Sequence, residues 1–513
     1  MRPIDMMVTD YNCEYLGLSR LCLMESAGKS LAEEVGKIAV YTYSKPVKIV
    51  IFTGSGGNGG DGFVAARYLL NRGYDVDIYM LKDNIRSPQA KTNLDILMNM
   101  KPRLSHLNIF NLKTLEDINS CEVAKNGDSE HIIVDGLLGT GINGKLQTNI
   151  RRAIEIINES EGLTISVDVP SGMDPLTGEV NDLAVVPDYT ISFHKIKTGV
   201  RNAEEELVGG LVTADIGIPF EAEYFVNFGD FLRLKNRDSN SHKGNNGRLL
   251  VLGGSKDYSG APAIAGMAAI GVGMDLVYVA APQMAAEAIK STSPDLIVKS
   301  LEGDKLSLKH SEVIMELSEN VDAVLIGPGA GIDDETSKLF NVLVTKIKKP
   351  IVLDADALKQ VELSLIRNRE DIILTPHIFE FKSIFKVEGG LKLDIDSFEF
   401  AEVDENITEF QKVTRQIKGS VIVKGKYDLI LSGNRFKINR SGNSGMTVGG
   451  TGDALSGIAS ALLAQNLSAF DSASLAAFIN GLAGDEAYEA KGNGFSATDL
   501  VSNIGSVIKN GLR

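Results

Sequence analysis

The chain has 513 residues, room for two or more domains, and a formal net charge of −15, which argues against nucleic acid or an anionic membrane as partner. Hydrophobic residues at 43% and charged residues at 23% are ordinary for a globular protein. Cys13, Cys22 and Cys121 make neither a disulfide framework nor a zinc spacing, Met1 to Asp5 opens no apolar leader, and no run reaches membrane-spanning length, so a cytoplasmic protein is expected.

Apolar residues at helical spacing predict a helix from about Ser19 to Val40. A short apolar run, Val47 to Phe52, predicts a buried strand. It runs into Thr53-Gly54-Ser55-Gly56-Gly57-Asn58-Gly59-Gly60-Asp61-Gly62, after which Phe63 to Asn71 resumes a helix and Tyr74 to Leu81 the next strand. Strand, glycine loop, helix, strand is a parallel α/β unit. Further strands end in polar turns: Ile132 to Val134 before Asp135, Leu163 to Val167 before Asp168-Val169-Pro170-Ser171, and Thr190 to Phe193 before His194 and Lys197. Ligands of open α/β sheets bind beyond the carboxyl ends of the strands, so Asn58, Asp61, Asp135, Asp168 and Ser171 are expected on one rim. A His or Lys after a strand is usually a surface residue, the ordinary reading for His194 and Lys197, with a catalytic role as the alternative.

Strand signals fade between Pro219 and Asn246, where a domain boundary is expected. The α/β rhythm then restarts with strands at Arg248 to Leu252, Leu276 to Ala280, Ala323 to Ile326, Ile351 to Leu353, Ile372 to Leu374 and Val421 to Val423, and an alanine-rich helix from Pro262 to Val272. Asp394 to Glu405 is acidic and reads as a solvated loop or insertion. A hairpin then leads into Met446-Thr447-Val448-Gly449-Gly450-Thr451-Gly452-Asp453, followed by helices at Ala454 to Ala464 and Ala473 to Glu489.

That glycine stretch is the most telling in the chain. Glycines before a helix let the backbone approach a ligand, and the free N–H groups of the helix start suit a phosphate. Asp453 would repel a bound phosphate unless a metal or a transferable proton lies between, which is the arrangement a general base for phosphoryl transfer requires. The competing reading is a glycine-rich turn capped by an aspartate. Gly54 to Gly59 fits a dinucleotide G-x-G-x-x-G, but Asp61 in the first helical turn opposes a pyrophosphate there, and Asn58 with Asp61 better suits a cation or ligand hydroxyls. Gly139-Thr140-Gly141-Ile142-Asn143-Gly144-Lys145-Leu146 nearly reads as a P-loop and fails at Leu146, where a hydroxyl should hold magnesium; it is a phosphate-contacting loop or a plain connection. His377 after Pro376 binds a polar ligand group or is a satisfied buried histidine. Lys424-Gly425 reaches a nucleotide phosphate or makes an ordinary turn.

Taken together, these motifs carry a resemblance over nearly the whole chain. The Gly57-to-Gly62 run, the Asp135-to-Lys145 segment and Val167 to Gly172 resemble the NAD(P)H-hydrate epimerase (YjeF N-terminal) family, with Gly57 where that family usually has Asn. Lys243-Gly244, Gly253-Gly254-Ser255, Gly327-Pro328-Gly329, Asp354 to Leu358, Thr375-Pro376-His377, Lys424-Gly425 and Gly449 to Asp453 resemble the ADP-dependent NAD(P)H-hydrate dehydratase family. The resemblance implies an α/β fold in two domains. Residues 1–222 would form a Rossmann-like three-layer sandwich that interconverts the R and S hydrates. Residues 223–513 would form a ribokinase-like domain that dehydrates the S form at the expense of ADP. It implies Asp453 and Asp168 as catalytic residues. It places the hydrate of the first domain on Gly57, Asn58, Gly59, Gly60, Asp61, Gly139, Thr140, Gly141, Ile142, Asn143, Gly144, Lys145 and Asp168, with potassium at Asn58, Asp135 and Ser171. In the second domain it places the hydrate near Ala263, Gly329, His377 and Asp453, ADP on Lys424, Gly425, Lys426, Tyr427, Asp428 and Gly452, and Mg2+ with the phosphates. A homo-oligomer is expected. Two other classes remain open here: a small-molecule kinase built on the second half, and a first half that binds nucleotide without turnover.

Overall fold

The computed structural model describes residues 1–121, 130–139, 145–235, 237–387 and 403–512. They form two compact units, Met1–Glu223 and Tyr224–Arg513.

In the first unit seven strands, β1 (Lys48–Thr53), β2 (Val76–Met80), β3 (Leu107–Asn111), β4 (His131–Gly136), β5 (Leu163–Val167), β6 (Tyr189–Phe193) and β7 (Gly210–Ala214), pair in parallel in the order β3-β2-β1-β4-β5-β6-β7. Successive side chains of a strand point to opposite faces. Ile49 and Ile51 accordingly join Val134 and Ile165 against helices Arg20–Thr42 and Gly57–Asn71. Val50 and Phe52 join Ile133 against helix Thr148–Glu159 on the other face. Helices on both faces make three layers. The strand order reverses between β1 and β4, and a crevice opens beyond their carboxyl ends. Helix Gly57–Asn71 starts six residues earlier than the apolar pattern predicts, because the glycine run is itself its first turn.

The second unit has nine strands: β8 (Arg248–Leu252), β9 (Leu276–Pro282), β10 (Ile297–Leu301), β11 (Ala323–Ile326), β12 (Ile351–Leu353), β13 (Ile372–Leu374), β14 (Ser420–Val423), β15 (Asp428–Ser432) and β16 (Arg435–Asn439). Their order is β10-β9-β8-β11-β12-β13-β14-β15-β16, parallel as far as β14 and antiparallel through the last two pairings. Leu249, Val251, Leu325 and Val352 pack on one face against helices Gly260–Val272, Thr451–Ala464, Ala469–Lys491 and Ala497–Gly511. Two of these helices touch closely: a Cβ on Gly457 would overlap the backbone of Ala265. That approach fixes the start of Thr451–Ala464 over the carboxyl ends of the strands. The acidic stretch read as a loop lies outside the described residues up to 402, and a helix begins at Val403.

Candidate active sites

In the first unit a cavity of about 720 Å³, within the range of small-molecule sites, lies at the switch point. Gly57, Asn58, Gly59, Asp61, Gly139, Lys145 and Asp168 all line it. Gly60 is buried in the same helix turn, and a Cβ there would press on Met24 and Ala90. Thr140, Gly141, Ile142, Asn143 and Gly144 lie outside the described residues. Leu146 and Gln147 continue the wall, with Lys82 and Arg86 contributing positive charge.

Asp168 follows β5 in the left-handed region, at φ 67. Its Oδ1 accepts the Phe193 N–H at 3.0 Å and the ammonium of Lys197. Lys197 corrects the surface reading of that position: its side chain is 1% exposed, held also by the Phe193 carbonyl at 3.0 Å. The ordinary reading of a lysine after a strand fails here because the carboxylate of Asp168, supplied by a neighbouring strand, meets the ammonium in the interior. His194, also at positive φ, pairs instead with Glu223 at 3.0 Å. No described residue donates a hydrogen bond to Oδ2 of Asp168. Burial, reinforced by the carboxylates of Asp168 and Asp10, pushes the Asp61 carboxyl well above its ordinary value. Asp10, Met6 and Arg20 also line the cavity and were not singled out from the sequence.

Asp135, Ser171 and Asn58 gather at the back of the crevice. The Ser171 hydroxyl donates to Asp135 Oδ1 at 2.6 Å, and the Ser171 N–H and Ser166 hydroxyl reach Oδ2, each at 2.9 Å. Burial raises the Asp135 carboxyl from its ordinary value, and these hydrogen bonds oppose the shift. Asn58 donates from Nδ2 to the carbonyls of Leu138 and Val167 at 3.2 and 2.6 Å. A carboxylate, a hydroxyl and an amide oxygen are the donor set of a hard cation.

In the second unit the glycine stretch leads through Gly450, the N-cap, into the helix Thr451–Ala464, which begins three residues before the sequence reading. Gly450 at φ 99 turns the chain into it, a conformation that favours glycine. Asp453 therefore sits in the first helical turn. Burial and the carboxylates of Asp354 and Asp356 push its carboxyl up to about 7, against the lowering pull of Lys424. No described residue donates a hydrogen bond to that carboxyl.

Lys424 follows β14. Its Nζ is 3.4 Å from Asp354 Oδ1, and a Cβ built on Gly452 would lie 3.5 Å from it, so the ammonium stands between the Asp354 carboxylate and the helix start. Asp354 is held by the Thr375 hydroxyl at 2.6 Å. Lys424-Gly425-Lys426-Tyr427-Asp428 forms the β14–β15 turn. Asp428 closes that turn, accepting the Gly425 N–H at 3.2 Å and Asn439 Nδ2 at 3.0 Å, and burial raises its carboxyl to about 6. Lys426 lies over the Tyr427 ring at 5.4 Å.

His377 is half-exposed and caps helix Ile378–Ile384, its Nδ1 accepting the Phe379 and Glu380 N–H groups at 3.2 and 3.3 Å. It also bridges to Lys424, whose N–H donates to the Pro376 carbonyl at 2.9 Å. Neither of its two sequence readings included this capping role. Gly329, at φ 60, packs against Tyr258, where a Cβ would come within 2.8 Å. Ala263 is buried in helix Gly260–Val272. Its neighbour Ile264 packs under Gly450, where a Cβ would come within 2.8 Å of the isoleucine Cδ1.

The chain is similar to known proteins along nearly all of its length. Residues 20–199 match the family model of the YjeF-related protein N-terminus, and residues 249–506 that of NAD(P)H-hydrate dehydratase. The bifunctional NAD(P)H-hydrate repair enzyme Nnr of Methanothermobacter thermautotrophicus is 46% identical over 517 aligned residues, covering 100% of this chain and 96% of its own. That of Archaeoglobus fulgidus is 40% identical, covering 98% of this chain and 97% of its own. A solved structure of ADP/ATP-dependent NAD(P)H-hydrate dehydratase from Bacillus subtilis, co-crystallized with ATP/Mg2+, is 22% identical, with a TM-score of 0.46, over 56% of this chain and 98% of that one. Both halves being matched in order and over the full length of such relatives, the chain belongs to the bifunctional NAD(P)H-hydrate repair enzyme family.

Proposed function

We propose that the chain repairs hydrated reduced nicotinamide nucleotides by two reactions, one per unit. Residues 1–223 interconvert the R and S hydrates, and residues 224–513 dehydrate the S form to NAD(P)H with ADP, giving AMP and phosphate. The observation that carries the reading is Asp453: a carboxyl raised to about 7, in the first turn of a helix, beside Lys424. A base with a pKa near the working pH is well matched to taking a proton from an alcohol.

The hydrate carries a hydroxyl on ring carbon 6, beside the ring nitrogen. Asp453 takes the hydroxyl proton as its oxygen attacks the β-phosphorus of ADP, and AMP leaves. The N–H groups of the Gly449-to-Gly452 turn, with Lys424, stabilise the charge on the phosphoryl oxygens. The ring-nitrogen lone pair then expels phosphate, and loss of a proton from the adjacent carbon restores the reduced ring. Among the described residues no cluster of three or more His, Cys, Asp or Glu side chains could hold a metal. Such a site suits magnesium brought in on the ADP phosphates, where it would neutralise their charge.

In the first unit Asp168 is the acid/base for loss and return of hydroxide at carbon 6, with Lys197 on its Oδ1 fixing its orientation. The oxygen donors Asn58, Asp135 and Ser171 fit potassium, which when bound would neutralise the buried carboxylate behind the nucleotide loop.

The test is to incubate the purified protein with a mixed-epimer hydrate and ADP. Recovery of the reduced nicotinamide absorbance from both epimers, with release of inorganic phosphate, is expected. Phosphate retained on an organic product would mark a kinase instead. Asp453→Asn should lower turnover by about 10²–10⁴-fold while ADP still binds, and undiminished turnover would remove Asp453 from the mechanism.

A further inference from the structure

The first cavity holds more ionisable groups than one acid/base needs. Asp168 enters from the end of β5, paired with Lys197. Asp61 enters from the helix after β1. A third carboxylate, Asp10, comes from a helix no sequence motif marks, Pro3–Tyr15. Met6 and Asp10 are one helical turn apart and both line the cavity, so the helix presents that face to it. Val8, Thr9, Asn12 and Cys13 of the same helix are buried, and Asn12 Nδ2 donates to the Ala222 carbonyl at 3.0 Å. The helix is thus anchored, and Asp10 is held at the cavity wall rather than waving in solvent.

Epimerisation sets a requirement that one carboxyl meets poorly. The hydroxyl leaves from one face of the ring and returns on the other. A single group fixed on one side can serve only one of these events. Two carboxyls in opposite protonation states serve both.

We propose that Asp10 is the second proton-transferring carboxyl of the epimerase site, acting on the ring face that Asp168 does not reach. In one direction the Asp10 carboxyl gives its proton to the leaving hydroxyl. The C6–O bond breaks, water departs, and the ring-nitrogen lone pair forms the C=N bond of a cation. A water then adds to carbon 6 from the other face, the C=N pair returns to nitrogen, and Asp168 takes the proton that the water gives up. The reverse direction starts with the proton on Asp168, so no oxidant, reductant or net proton is required.

The surroundings support the assignment. Burial, helped by Asp168, raises the Asp10 carboxyl to about 6 against the opposing pull of Lys197, Arg20 and His194. Asp61 and the Cys13 thiol also feel the charge of Asp10, and both are themselves raised by burial. Each direction needs the Asp10–Asp168 pair to share one proton. Exchange should therefore decline above a pH near 6, where Asp10 loses its proton.

This assignment rests on the first unit being the epimerase, and the two can fail separately. The experiment compares full-length wild type, Asp168→Asn, Asp10→Asn and Asp10→Glu for conversion of a single purified epimer, above the uncatalysed rate. Asp10→Asn should lower kcat at least about 100-fold with KM changed less than about threefold, and its residual rate should lose the decline above pH 6. Asp10→Glu should recover at least a tenth of the wild-type rate. The proposal is overturned if Asp10→Asn keeps the wild-type rate, if its loss lies in KM alone, or if Asp10→Glu is no better than Asp10→Asn. Background conversion by wild type would overturn the epimerase reading itself.

Discussion

At Asp453 the burial that would suit the carboxyl to act as the proposed base also costs the fold stability. Its carboxyl, raised from an ordinary value of 3.8 to about 7, is protonated in the folded chain over a pH range where the unfolded chain has already lost the proton. Folding stability from this group therefore falls as pH rises from 3.8 towards 7 and is flat above. Activity runs the other way, since the base works when ionised: kcat/KM for dehydration should climb through pH about 7 and level off. Asp453→Asn should melt above the wild type at pH 8, with the gap closing as the pH is lowered, which differential scanning calorimetry across that range would reveal. Equal melting at every pH would mean the carboxyl bears no burial penalty. Asp453 and Asp168 were legible in the sequence because each stands where a strand or glycine turn meets a ligand-binding rim. Asp10 and Lys197 were not. Nothing beside Asp10 in the chain distinguishes it from a solvated helix residue, and Lys197 is buried only because Asp168 meets it in three dimensions.

Among the elements, the helix Thr451–Ala464 carries Gly452 and Asp453 into the second site, and its position depends on the absence of side chains. Ala265 carbonyl and Gly457 lie in backbone contact. Gly457→Val should force the two helices apart at a cost of about 1–3 kcal/mol, seen as a lower denaturant midpoint, and should lower dehydration more than ADP-independent epimer exchange. An unchanged midpoint would mean the pair tolerates separation. The central strands of both sheets were readable as apolar runs, since a parallel strand covered on both faces needs them. Three strands were missed, and all three are edges: β3, β7 and β10. Their burial alternates or is mostly lost, with Asn108, Phe110 and Leu211 exposed, so no continuous apolar run announces them. Both ligand-binding helices begin earlier than their apolar pattern, because glycine carries no hydrophobic signal even when it is helical.

Across the whole molecule, each sheet is completed within one unit: strands β1 to β7 fall in Met1–Glu223 and β8 to β16 in Tyr224–Arg513. Among the described residues no strand is lent from one unit to the other, so damage to the chemistry of one leaves the hydrogen-bonded frame of the other whole. Two inactive proteins can then make good each other's loss. On the proposed roles, full-length Asp168→Asn should lack inversion, and full-length Asp453→Asn should lack dehydration. Either alone, given the R hydrate and ADP, should yield reduced nicotinamide only at the background rate. Stirred together they should convert it at a speed that rises with the concentration of each, the S hydrate crossing through bulk water as a shared currency between strangers. A mixture as inert as its ingredients would mean that the hydrate does not travel freely from one polypeptide to the next.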